Sequence, residues 1–361
     1  MTVLMVGPLP PPIGGISVSF RILIESLQRR QDVAIEIVDF AHIRNQNRMP
    51  FAGVWLLMHQ VLKKAKSADV YSVSCSSTGL PFIGLLLLLL AKLHRKPLII
   101  RAGGGQDYFM MGGVGGAVAH FVVKHAAVYL AQTKALVALA HTRGLANVAW
   151  FPTNRPITER NIAAPLGRKR CRRFLYIGQV RLFKGIREIL TAADLFDKDI
   201  AVDVYGPIFD DLGQEVFSNG KNVTYGGVLS PDEVADLLPR YDMFLLPTQA
   251  STEGYPGAIL EAFAAGLPVI TTRLGGITEI VDDACGLFVE PGNAHSLYAA
   301  MKRVVDDEAF YQRLLQGVSL KRQEFDSAVW SDRFVSHCRQ AASFCSALDD
   351  GDERTTLLDR Q

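Results

Sequence analysis

The sequence predicts an α/β protein with two doubly wound parallel sheets, and three observations carry that expectation. Short apolar runs of strand length alternate with helical patterns along nearly the whole chain. The 361 residues, 49% hydrophobic and 20% charged, are ample for two cores of α/β size. Between the two sets of runs, Thr153 to Arg168 is rich in Pro, Asn, Arg and Ala and lacks a clear period, so it reads as a linker. The expected division is a first domain at 1–165, a second at 166–330, a closing helix at 331–347 that returns to the first domain, and a charged tail at 348–361 expected to be disordered.

In the first half, Met1 to Val6 reads as a strand. It has no basic leader segment and the prolines from Pro8 to Pro12 cut it short, which argues against a signal peptide. A loop ending in Ile13-Gly14-Gly15-Ile16-Ser17 opens a helix from about Val18 to Arg30, with Phe20, Leu23, Ile24 and Leu27 on its apolar face. Ala34 to Phe40, Asp69 to Ser74, Leu98 to Arg101 and Val128 to Gln132 read as further strands with helical patterns between them. The leucine run from Leu80 to Ala91 falls short of the roughly 20 residues a membrane span needs, so a buried or interfacial helix is expected there.

The second half begins with a strand at Phe174 to Gly178, the loop Gln179 to Gly185 and a helix from Ile186 to Leu195. Ala201 to Pro207 is a strand with a glycine turn. Val223 to Val228 leads to a helix with Ser230 as N-cap, Pro231 at its first position and Glu233 closing a capping box. Tyr241 to Pro247 is a strand, followed by a loop carrying Glu253, a helix carrying Glu261, a strand at Gly266 to Thr272, and Gly275-Gly276-Ile277-Thr278-Glu279. Helices at Leu297 to Val305, Phe310 to Phe325 and Val329 to Ala341 complete the chain.

A net charge of +2 gives no domain-wide basic footprint, so nucleic acid is not an expected partner. Cys75, Cys171, Cys285, Cys338 and Cys345 show no C-x-x-C spacing and no accompanying His cluster. Neither a disulfide framework nor a metal site follows, and a reducing, cytoplasmic setting is the default. Two basic features, Lys92, His94, Arg95 and Lys96 after the leucine run and Arg168 to Arg173 before a strand, read most simply as solvated loops. The sharper reading is peripheral contact with an anionic membrane.

The candidate site centres on Glu253 and Glu261. Gly254, Pro256 and Gly257 prepare a turn, and a helix start offers free N–H groups and a positive dipole end to a phosphate. Lys184 and Arg181, after a strand and beside a helix, have the placement to clamp a diphosphate. Each feature alone is ordinary: helical glutamates are mostly solvated, and Gly-Gly or Lys-Gly before a helix is common turn chemistry. Their order is specific. The E-x7-E pattern, followed by A-x-G-x-P-V-I from Ala264 and G-G-x-x-E-I-V from Gly275, resembles the donor-nucleotide domain of retaining glycosyltransferases of the GT-B fold, particularly glycosyltransferase family 4.

That resemblance implies two Rossmann-like domains facing a cleft and a metal-independent transferase with no cofactor beyond its nucleotide-sugar co-substrate. It places Glu261 on the donor ribose, Glu253 by the donor sugar and phosphate, and Gly254, Tyr255, Pro256 and Gly257 in the donor loop. It sets Gly14 and Gly15 against the donor diphosphate and the nucleotide base near Val228 and Leu229. Gly178, Lys184 and Gly185 match the family's loop, but Gln179 stands where arginine is commonest, with Arg181 as the replacement cation. Many members carry a histidine in the loop that here reads Arg101 to Tyr108. None is present, leaving Asp107 or Gln106 for a contact role, oriented by Arg101. His120 and His125, on an apolar helical pattern, are expected to pack. The expected function is sugar transfer from a nucleotide-sugar to a glycan or lipid-linked acceptor in bacterial surface glycan synthesis. A GT-B nucleotide-sugar epimerase and a catalytically silent nucleotide-binding subunit are the alternatives.

Overall fold

A computed structural model describes residues 1–11, 13–41, 50–103, 108–158, 170–197, 199–209, 212–218 and 220–349. Two compact units emerge, Met1–Thr153 together with Ser327–Gln361, and Asn154–Asp326.

The first unit is built on strands β1 (Thr2–Gly7), β2 (Ala34–Asp39), β3 (Val70–Ser76), β4 (Leu98–Gly103), β5 (Val128–Ala131) and β6 (Val148–Trp150). They pair in parallel in the order β2-β1-β3-β4-β5-β6. Side chains alternate along β1, so Val3 and Met5 enter one core layer while Leu4 and Val6 enter the other. The first layer is closed by the helices Gly15–Gln28 and Ser327–Asp349, through Phe20, Leu23, Trp330 and Phe334. The second is closed by Pro50–Ala65, Leu85–Leu93, Gly113–His125 and Lys134–Thr142, through Leu57, Val61, Leu87, Leu88, Val122 and Ala140. The leucine run is a π-helical turn, Leu80–Gly84, continuing into the nine-residue helix Leu85–Leu93. No described helix is long and apolar enough to cross a membrane.

The second unit carries β7 (Arg173–Ile177), β8 (Ala201–Tyr205), β9 (Val223–Tyr225), β10 (Met243–Leu246), β11 (Val269–Thr272) and β12 (Gly286–Val289). The order is β12-β11-β10-β7-β8-β9, again all parallel. Counted within the unit this is 6-5-4-1-2-3, the doubly wound dinucleotide-binding order, whose direction reverses between β7 and β10. The capping box forms as expected: Ser230 Oγ accepts from the Glu233 amide at 3.3 Å, and the Ser230 amide donates to Glu233 Oε2 at 2.7 Å.

Two expectations are corrected. The boundary between units falls after Thr153, not at 165, because Arg155 is tied into the second unit: its amide donates to the Phe325 carbonyl at 3.0 Å and it forms a bridge with Asp326. The returning helix starts at Ser327, not 331, and the last residues of the expected tail, from 350, lie outside the described residues. In the basic cluster the Arg170 and Arg173 side chains are exposed. Arg170 pairs with Glu308, the Arg172 and Arg173 amides both donate to Asp242, and the Arg173 guanidinium lies 4.7 Å from the Tyr241 ring centroid. Arg168 and Lys169 are outside the described residues. All five cysteines are free thiols, with Cys75 and Cys285 each pushed up to about 12 chiefly by burial.

Candidate functional site

The loops that follow β7 and β10 are brought together because those strands are neighbours in the sheet although distant in sequence. After β7, a 3₁₀ turn at Leu182–Lys184 delivers the lysine just before the helix Ile186–Asp194. Gly185 sits at φ 84°, and a Cβ there would lie 2.2 Å from the Pro247 carbonyl oxygen, so only glycine lets the two loops close. The contact is fastened by the Gln249 amide donating to the Phe183 carbonyl at 2.7 Å and by Gln249 Nε2 donating to Glu188 Oε1 at 3.1 Å.

Within this frame Lys184 Nζ is ion-paired with Glu253 Oε1, their side chains only 19% and 16% exposed. Such shielding strengthens the attraction relative to a surface pair. The negative charge is felt nearby: burial, reinforced by Glu253, holds the Tyr176 hydroxyl well above the usual tyrosine range, and that hydroxyl donates to the Gln179 carbonyl at 2.6 Å.

The G-G-x-x-E motif braces the glutamate loop from behind. The Gly276 amide donates to the Glu253 carbonyl at 2.8 Å, and a Cβ on Gly275, itself at φ 51°, would lie 2.2 Å from that same oxygen. Glu279 accepts from the Tyr255 hydroxyl at 2.6 Å. Gly254 completes the close approach, its carbonyl 2.7 Å from where a Gly276 Cβ would be. The motif is therefore a backbone support for the segment that holds Glu253.

Pro256 caps the helix Gly257–Ala264, and Glu261 lies in its second turn. Its partner was not foreseen: Arg155 Nε donates to Glu261 Oε1 at 2.8 Å, with the arginine side chain only 6% exposed. Arg155 also donates to the Asn154 carbonyl at 2.9 Å, and its guanidinium approaches Gly257 so closely that a Cβ there would meet Nη2 at 2.2 Å. A cation at a helix N-terminus adds to the positive dipole end and deepens an anion-attracting corner.

The remaining expected residues are placed as follows. Arg181 is stacked over Phe209, 3.9 Å from the ring centroid, with Phe183 at 5.7 Å; it shares the Lys184 loop but is held by aromatic faces. Gly178 follows β7. Val228, 62% exposed, and Leu229 lie in the turn between β9 and the capped helix. In the first unit Gly14 caps the helix Gly15–Gln28 with extended backbone at φ −160°, and Ser17 Oγ both accepts from the Gly14 amide and donates to its carbonyl. A Cβ on Gly15 would meet nothing within 4 Å among the described residues. Asp107 and Gln106 lie outside the described residues, whereas Arg101 is buried, donating to the Ser19 carbonyl at 3.1 Å and facing the Phe151 ring. His120 is half-buried near Tyr108, and His125 is exposed with Nδ1 2.8 Å from the Phe121 carbonyl.

Residues 171–307 match the family model for glycosyl transferases group 1. The chain is 34% identical over 131 residues to the putative teichuronic acid biosynthesis glycosyltransferase TuaC of Bacillus subtilis (strain 168), covering 36% of this chain and 32% of that protein. It is 27% identical over 164 residues to the N,N'-diacetylbacillosaminyl-diphospho-undecaprenol alpha-1,3-N-acetylgalactosaminyltransferase of Campylobacter jejuni subsp. jejuni, covering 45% of this chain and 43% of that protein. These matches span less than half the length of each relative. Among solved structures, Anabaena Alr3699/HepE in complex with UDP aligns with a TM-score of 0.70 over 93% of this chain and 99% of that one, at 15% identity, which establishes a shared fold.

Proposed function

We propose that this chain, a GT-B fold protein with a glycosyl transferases group 1 domain, is a retaining, metal-independent transferase that moves a sugar from a nucleotide-sugar donor to an acceptor hydroxyl. The observation that carries the reading is the meeting of Lys184 and Glu253 at the point where the strand order of the second sheet reverses, the position at which doubly wound sheets bind their ligands. Lys184 trades Glu253 for the donor diphosphate and steadies the charge that grows as the anomeric C–O bond breaks. Arg181 adds positive potential from its aromatic seat. Glu253, released, lies by the donor sugar, and Glu261, oriented by Arg155, accepts from the ribose hydroxyls. Gly178 and the segment Gly254 to Gly257 shape the pocket, Val228 and Leu229 take the base, and Gly14 and Gly15 offer open backbone to the phosphates.

The new glycosidic bond forms on the face the diphosphate leaves, and the acceptor proton passes to that leaving group, so no protein base is required. Asp107 keeps a proposed contact role with the acceptor. A cytoplasmic setting and a surface-glycan product belong to the same reading, supported by the free cysteines and by relatives named for teichuronic acid and undecaprenol-linked glycans.

A thermal-shift screen of nucleotide-sugars, followed by product analysis with glycan and lipid-linked acceptors, tests it. The expected result is one stabilising donor, a product that retains the donor's anomeric configuration, and activity in EDTA. Isomerised donor without acceptor would instead identify an epimerase. Nucleotide binding with no product from any acceptor would identify a silent subunit, and an absolute Mg²⁺ requirement would overturn the role given to Lys184.

A further inference from the structure

The helix layer of the first unit that covers Leu4 and Val6 has an unusual outer surface. Apart from Ile13 and Val329, every large apolar side chain exposed among the described residues of that unit belongs to this layer or the turn leading into it. Trp55, Phe82, Leu93 and Val114 are 68%, 77%, 73% and 81% exposed. Phe82, Leu89 and Leu93 recur at helical spacing along the leucine segment, and Gly84 of that segment packs on Val122, so the helix carrying Phe121 is its immediate neighbour.

The charge on the layer is equally one-sided. From Pro50 to Thr158 the only carboxylates are Asp69 and Asp107, so none of the four covering helices carries one. Of the exposed lysines, Lys63, Lys66, Lys92 and Lys124 lie at or just beyond helix C-termini, and Lys134 opens the fourth helix. Helix dipoles explain cations at those ends, but they equally favour acids at the N-termini, and there are none. The rest of the chain is acidic on balance, so the near-neutral total hides a segregation of charge.

We infer that this layer is a docking surface for the headgroup region of an anionic phospholipid bilayer, with aromatic and leucine side chains entering the interface and the lysines meeting lipid phosphates. Apolar side chains interleaved with cations, on helices that carry no carboxylate, match that surface in both polarity and charge; the nearest carboxylates, Glu36 and Asp69, lie off those helices and pair with Lys64 and Lys96. The inference does not depend on the transferase reading.

The test uses the full chain with vesicles of phosphatidylglycerol and phosphatidylethanolamine, and with neutral phosphatidylcholine vesicles. Sedimentation should rise with the anionic fraction and fall with salt, and Trp55 emission should shift to the blue, a change absent from Trp55→Phe. Lys92→Gln and Lys124→Gln should each weaken binding about fivefold, while Phe82→Ser with Leu93→Ser should abolish it. All these variants should keep the wild-type Tm. Equal binding to neutral and anionic vesicles, or none to either, overturns the inference. So does a concentration-dependent dimer dissolved by Phe82→Ser in a chain that ignores vesicles, which would make a second copy the occupant.

Discussion

The loop after the first strand of each unit ends in glycine and opens a helix, yet the two glycines answer to different constraints. In the second unit Gly185 is required by the chain itself: its left-handed backbone and the Pro247 carbonyl leave no room for a Cβ. In the first unit Gly14 is extended and Gly15 faces open space, so nothing within the described chain demands either. One loop is closed by internal packing and carries charge on side chains; the other is an uncovered stretch of backbone. The lesson is that a glycine without an internal reason is the better candidate for contact with something outside the chain.

That contrast can be broken, most forcefully at Lys184. Lys184→Ala should lower turnover at saturating donor by about 10²-fold or more, with a smaller loss of nucleotide affinity, because the charge it meets grows in the transition state. Steady-state kinetics checks this, and wild-type turnover would remove the electrostatic role from the second loop.

Glu261 separates affinity from stability. Glu261→Ala strands the buried Arg155 guanidinium and should cost about 3 kcal/mol in urea unfolding. Glu261→Gln keeps an acceptor, so it should unfold closer to wild type while binding the nucleotide about tenfold more weakly by calorimetry. Unchanged affinity in the Gln variant would end the ribose assignment.

The glycine pair tests the comparison directly. Gly185→Ala should destabilise the second unit by more than about 2 kcal/mol, from left-handed strain plus the displaced carbonyl. Gly15→Ala should unfold within about 0.5 kcal/mol of wild type and show its effect in donor affinity alone. If Gly15→Ala changes neither, the open loop is plain turn chemistry. The smallest effect is expected at Tyr255→Phe, where loss of the Glu279 hydrogen bond should cost about 1 kcal/mol in thermal unfolding and leave the Lys184 loop intact.

The parts of the second unit that were legible in the sequence share one property: each is written within a few residues of a strand end. Lys184-Gly185, Glu253 to Glu261 and Gly275 to Glu279 are contiguous, and the parallel sheet does the work of juxtaposing them. Arg155 was invisible because its partner lies 106 residues away and its own segment has no period, so it passed for linker. The converse holds for Arg168 to Arg173: a run of charge is visible in sequence, but Glu308 and Tyr241, which the Arg170 and Arg173 side chains meet, are not. A whole-chain charge of +2 concealed the carboxylate-free helices, since an average cannot report segregation. The strand order of the first unit was likewise unreadable, because pairing partners are set by crossovers rather than by local pattern.

The helix Ser327–Asp349 belongs to the first unit although the entire second unit precedes it in the chain. During synthesis, then, the domain begun first is completed last. Until Trp330, Phe334, Val335 and Cys338 have left the ribosome, the side of the sheet formed by Val3, Met5 and Leu130 lacks half its cover, while the contiguous second unit can fold from Asn154 to Asp326 without waiting. A nascent chain stalled before Ser327 would present that apolar surface to chaperones or to aggregation, with a finished second unit attached to an unfinished first one.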